Sequence, residues 1–177
     1  MAKNSSSDGK KWRRATRLVR GGTTRSGHGE TSEAIFLTSG YVYDGAAEAE
    51  ARFKGEAPGF VYSRFGNPTV AMFEQRLALL EGAEACKATS TGMAAVFAAL
   101  MAQLRAGDHV VASRALFGSC LYIVGELLPR YGIEVTLVDG TDMAQWQAAF
   151  RPETACVFLE SPSNPTLEII DLPAVSA

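Results

Sequence analysis

HVVASRALFGSCLYIVGELLPRYGIEVTLVDGTDMAQWQAAFRPETACVFLES, residues 109–161, carries three short runs rich in β-branched residues, set apart by longer stretches of helical length. HVVAS (109–113), EVTLVD (134–139) and CVFLES (156–161) have the size and composition of buried strands. The stretches over about 119–131 and 141–150 are long enough for helices. Strands alternating with helices predict an α/β domain with a parallel sheet and crossover helices.

The alternation extends upstream. AAVFAALMAQL falls in a predicted helix over about 92–104 that is apolar nearly all round and is expected to be buried. Before it, Asn67-Pro68 sets a proline at the first helical position. TVAMFEQRLALLEG follows, with Met72, Phe73, Leu77 and Leu80 on one face and Gly82 as the stop. Residues 12–60 are irregular, with glycines interrupting apolar clusters such as Ile35-Phe36-Leu37 and Tyr41-Val42-Tyr43. Such a stretch cannot bury itself and reads as an arm that packs on something else. Residues 1–11 are polar and Ser-rich, which predicts a disordered tail. At the other end, DLPAVSA opens a helix at the cap Asp171 and runs out within its first turns, so the chain looks cut rather than complete. The expected organisation is an arm over 1–60 and the first part of a large domain over 61–177.

With 47% hydrophobic and 20% charged residues there is apolar material for one core, and a formal net charge of −2 leaves no basic stripe for phosphate backbones or anionic lipid. Nucleic acid and membrane are therefore not expected as partners, and a small molecule is. Cys86, Cys120 and Cys156 are odd in number, far apart and without CxxC or Cys/His spacing, so they read as reduced core thiols rather than disulfides or a metal site. The basic opening lacks the apolar stretch of a leader, and no later run approaches a membrane span, which points to the cytosol.

Four motifs stand where chemistry would be expected. ATSTGMAAV (88–96) sets hydroxyl residues and a glycine at the opening of a helical segment. Free N–H groups at Gly92 and Met93, at the positive end of the helix dipole, suit a phosphate, with Ser90 or Thr91 adding a hydroxyl; an ordinary N-cap is the other reading. No Walker A or GxGxxG pattern is present, which argues against a nucleoside triphosphate or dinucleotide. VYSRFGNPT (61–69) places Tyr62 and Arg64 two apart in what reads as an extended segment, on one face, where phenol and guanidinium could jointly hold phosphate oxygens. A structural turn at Gly66-Asn67-Pro68 is the competing reading. LFGSCLY puts Phe117 just after the first strand, at the carboxyl edge where ligands of open α/β sheets collect, either stacked on a flat ligand or packed in the core. LESPSNPTLEIID, from Leu159, puts Glu160, Ser161 and Asn164 at the end of the third strand, facing the same crevice, in a loop stiffened by two prolines.

YSRFGNPT, ATSTGMAA, SRALFGS and FLESPSNPTLEIID, in this order and at these separations, resemble the Cys/Met-metabolism enzymes that depend on pyridoxal phosphate (PLP), the cystathionine γ-synthase family. The resemblance runs from about Thr16 to the last residue. TRLVRGGTTRS, FLTSGYVYD and phenylalanine in LFGS, where many relatives carry tyrosine, are most similar to the branch that acts on O-succinylhomoserine with sulfide. The resemblance implies the PLP-dependent transferase fold type I, with this chain holding an N-terminal arm and an incomplete large domain with a mainly parallel sheet. It implies that Gly92 and Met93 bind the PLP phosphate through their backbone, with Ser90 close by. Phe117 would stack on the pyridine ring, and Asn164 would hydrogen-bond near the ring's 3-hydroxyl, with Glu160 beside it. Tyr62 and Arg64 would reach the phosphate of a neighbouring subunit in a homo-oligomer, a tetramer built of dimers.

The implied reaction is replacement at the γ-carbon of the activated homoserine ester by sulfide, giving homocysteine and succinate. Cystathionine γ-synthase, O-acetylhomoserine sulfhydrylase and methionine γ-lyase activities are the near alternatives. The family's Schiff-base lysine stands in a serine-x-threonine-lysine setting, which none of Lys3, Lys10, Lys11, Lys54 and Lys87 has; Lys87 reads as an exposed surface lysine. The chain alone is therefore expected to be inactive, with no catalytic residue of its own. From a different class, it could be a non-catalytic partner supplying Tyr62 and Arg64 in trans.

Overall fold

The computed structural model describes residues 11–177, which form two compact units, one ending at Ala88 and the other running from Thr89 to Ala177. The tail expected over 1–11 lies, but for Lys11, outside the described residues.

The first unit contains α1 (Arg14–Arg20), α2 (Ala46–Phe53) and α3 (Pro68–Glu81). Helix α3 starts and stops on the residues that predict it. Asn67 accepts the Thr69 N–H at 2.9 Å, Pro68 occupies the first turn, and Gly82, at φ 67°, turns its N–H back to the Ala78 carbonyl. The arm is fastened along this helix. Arg76 donates to the Gly21 carbonyl at 2.8 Å and pairs with Glu33, while Asn67 Nδ2 donates to the Phe36 carbonyl at 2.9 Å. Gly22 has to be glycine: its φ is +72°, and a Cβ there would lie 2.7 Å from the Met72 carbonyl oxygen. The predicted apolar face of α3 is only partly realised, because Met72 is buried whereas Phe73 is 55% exposed.

The second unit is a three-stranded parallel sheet in the order β2-β1-β3, with β1 (His109–Ser113), β2 (Glu134–Val138) and β3 (Thr154–Phe158). Helix α4 (Gly92–Met101) precedes it, and α5 (Gly118–Tyr122), a π-helical turn (Ile123–Leu127) and α6 (Leu128–Arg130) join β1 to β2. Helix α7 (Met143–Ala149) joins β2 to β3, and α8 (Leu172–Ser176) follows. The period-2 alternation of β1 divides the core. Val110 and Ala112 pack with Leu100, Leu104, Cys120, Val124 and Leu128 on one face, and Val111 packs with Val138 and Trp146 on the other. All five residues of β1 are buried, as a central strand requires. The π turn has a local cause. Pro129 lacks an N–H and its ring would crowd the Gly125 carbonyl in a regular helix; the Leu128 N–H bonds to the Ile123 carbonyl instead, widening the turn.

Three expectations are corrected. The third strand is Thr154–Phe158 and not 156–161, because Leu159 to Ser161 leave the sheet for the loop around Pro162. Helix α4 ends at Met101, before 104, and is not buried all round: Leu100 is buried, but Ala95, Ala98 and Ala99 are exposed. Tyr62 pairs with Gly40 in an isolated antiparallel bridge, but the segment does not stay extended through Arg64: it turns, and the Tyr62 carbonyl accepts from the N–H groups of Phe65 and Gly66 at 2.9 and 3.1 Å. No helix among the described residues is long and apolar enough to cross a membrane.

Candidate cofactor site at the carboxyl edge of the sheet

The first-turn N–H groups of a helix have no intrahelical acceptor. At α4 the Thr91 hydroxyl takes one of them, that of Ala94, at 3.0 Å, and the Thr91 carbonyl accepts the Ala95 N–H at 3.0 Å. Gly92 and Met93 remain, at the positive end of the helix dipole. Gly92 is exposed, and no atom lies within 4 Å of where its Cβ would be, so an anion can approach the backbone. The cap is Thr91; the Ser90 hydroxyl is exposed and makes no hydrogen bond among the described residues. Met93 reaches back onto the core that contains Leu116 and Cys120.

Strands β1 and β3 are neighbours and parallel, so the segments after them leave the same edge of the sheet. The chain after β1 turns into α5 on one face, while α8 contributes Val175 to the core of the other face. This divergence marks a topological switch point, the place where open α/β sheets form ligand crevices. Phe117 stands there, 43% exposed, at the head of α5. Its N–H donates to Glu160 Oε2 at 2.8 Å, across 43 residues of sequence. Asn164 is exposed in the loop after β3, whose form is held by Ser163: its hydroxyl accepts the Glu168 N–H at 2.9 Å, and its carbonyl accepts the Leu167 N–H at 2.8 Å. The Ser161 hydroxyl is engaged within the loop, accepting the Ile170 N–H at 3.0 Å. Of the predicted residues, Phe117 and Glu160 are brought into direct contact.

In the other unit, the turn stacks the Arg64 guanidinium over the Tyr62 ring at 4.8 Å and the Phe65 ring at 5.3 Å. Both predicted residues are exposed, and Arg64 forms no ion pair among the described residues. Lys87 is exposed and lies 3.6 Å from Glu74. All three cysteines are free; burial raises the thiols of Cys120 and Cys156 above their ordinary value, with the Glu160 charge adding to the effect at Cys120. No group of His, Cys, Asp and Glu that could hold a metal occurs among the described residues.

Sequence reasoning passed over His109. Its ring is fully buried at the start of β1, with Nδ1 2.8 Å from Thr154 Oγ1 and Nε2 2.8 Å from Thr136 Oγ1. A register shift between β1 and β3 sets Thr154 opposite His109, so one imidazole links all three strands at their amino edge. A lone histidine in an apolar run carries no signal of this, because both partners come from other strands.

An open helix N-terminus and an exposed aromatic at the carboxyl edge of a parallel sheet belong to the large domain of fold type I PLP-dependent enzymes. Solved structures agree: metB from Corynebacterium glutamicum superposes with a TM-score of 0.85 at 29% identity, over 96% of this chain and 42% of that one. The chain belongs to the Cys/Met metabolism PLP-dependent enzyme family, whose profile matches residues 15–177. Among curated relatives, O-succinylhomoserine sulfhydrylase of Mycobacterium tuberculosis is 56% identical over 162 residues, 92% of this chain and 40% of the relative. L-methionine gamma-lyase of Porphyromonas gingivalis is 41% identical over 161 residues, 91% of this chain and 40% of the relative. The chain thus spans about two fifths of the length of these relatives. PLP is the family's cofactor.

Proposed function

We propose that this chain forms the first part of the cofactor-binding domain of a PLP-dependent enzyme that replaces the succinyl ester of O-succinylhomoserine with sulfide, giving homocysteine. The observation that carries the reading is the 56% identity to a sulfhydrylase over 92% of the chain, whose second unit presents both an open helix N-terminus and an exposed aromatic ring. The residues fit the cofactor's chemistry. The Gly92 and Met93 N–H groups bind its phosphate with the Ser90 hydroxyl, Phe117 lies against its ring, and Asn164 donates to its oxygen substituent. Tyr62 and Arg64 serve the phosphate in a neighbouring subunit of a homo-oligomer. Bound, PLP supplies the electron sink that lets protons leave the substrate on the way to losing a γ-substituent.

The second reading, γ-elimination from methionine, is favoured by the 41% identity to a γ-lyase. The full-length protein separates the two: sulfide-dependent homocysteine from O-succinylhomoserine is the expected product, and thiol release from methionine without it would overturn the first reading. For the chain alone, incubation with PLP, borohydride reduction and mass spectrometry should find no specifically labelled lysine. Specific labelling of Lys87 would contradict the expectation that the chain is inactive by itself.

A further inference from the structure

Glu160 has no part in the reading above, yet among the described residues it makes the one hydrogen bond that fastens the segment carrying Phe117 to the end of β3. Phe117 is the N-cap residue of α5, and its own side chain cannot cap; the Phe117 carbonyl already accepts the Leu121 N–H at 2.9 Å. Upstream, the Arg114 and Ala115 N–H groups bond to the Val138 carbonyl and the Ser113 hydroxyl, and the Phe117 N–H, next to the ring, finds a carboxylate at 2.8 Å. The ring beyond it is 43% exposed, so packing alone does not hold it in place. We infer that Glu160 is a positioning residue: by accepting the Phe117 N–H it sets the backbone from which the aromatic ring is presented to the cofactor.

This rests on the reading that Phe117 lies against PLP. The connection joins two strand ends at the switch point, so it also couples the β3 loop that carries Asn164 to the ring on α5.

The test uses the PLP-loaded holoenzyme with E160A, E160Q and F117L, and reads three quantities: exchange of the Phe117 amide hydrogen, the induced circular dichroism of the bound cofactor, and the PLP dissociation constant. E160A should speed Phe117 amide exchange roughly tenfold, weaken PLP several-fold and reduce the dichroism. E160Q, which keeps an acceptor oxygen but not the charge, should restore most of all three. Unchanged Phe117 exchange or unchanged cofactor signals in E160A would overturn the proposal. So would E160Q behaving like E160A, which would place the effect in charge and not in the acceptor. F117L that leaves PLP affinity and dichroism intact would overturn the underlying reading of Phe117, whatever Glu160 does, and the two failures are thereby told apart.

Discussion

Asn67 shows how much one side chain can organise in this protein. It caps α3, donates to the Phe36 carbonyl and to Ser63 Oγ at 3.1 Å, and is 8% exposed. Asn67→Ala should destabilise the first unit by about 1–3 kcal/mol, combining a lost cap with a stranded carbonyl, as read from its urea midpoint. Asn67-Pro68 announced the helix start in the sequence; the link to Phe36 did not show, because it joins groups 31 residues apart. His109 sets the pH response of the second unit. Desolvation, with Arg151 adding to it, lowers its folded value below the ordinary 6.5, so the unfolded chain takes up a proton first. Stability is full above about 6.5 and falls as the pH drops below it and through the folded value. In the first unit Glu30, lowered to about 2 by the backbone and hydroxyl of Ser26, acts in the same direction but only below 4.5. The urea midpoint followed by the buried Trp146 should therefore drop between pH 7.5 and 5.5, and this slope should vanish in His109→Asn.

At the level of elements, sequence patterns located helices and strands by their stops and starts better than by their faces. Gly82 ends α3 as its type predicts, and Gly82→Ala, forced into the left-handed region, should cost about 1 kcal/mol in thermal or urea unfolding. Asp171 caps α8 by accepting the Ala174 N–H at 3.0 Å. β1 was readable to the residue from its apolar Val110–Ala112 centre, whereas β3 was placed two residues late: its apolar run continues past the last ladder pair into Leu159. Period cannot reveal where pairing stops. The apolar α4 misled in the same way, since Ala95, Ala98 and Ala99 stand exposed. Of the candidate site, the open helix N-terminus and the exposed aromatic were legible as local motifs, while the contact between Phe117 and Glu160 depends on the strand order and had no local trace.

Across the molecule, each unit carries apolar surface that single-chain packing leaves in water. Leu37 is 95%, Val42 92% and Phe65 70% exposed in the first; in the second, Ile169 is 67% and Leu167 71% exposed. The chain should therefore self-associate at micromolar concentration, with a sedimentation coefficient that rises with concentration. A concentration-independent monomer would contradict this. The strand order β2-β1-β3 has one more consequence, for the time at which the fold is made. The middle strand leaves the ribosome first, and the His109 ring waits 27 residues for Thr136 and 45 for Thr154. Through that interval of synthesis its imidazole is still wet on one side or both, and the sheet stays an open seam. The last hydroxyl to emerge closes it, so the joining of these three strands is timed by the length of chain already translated.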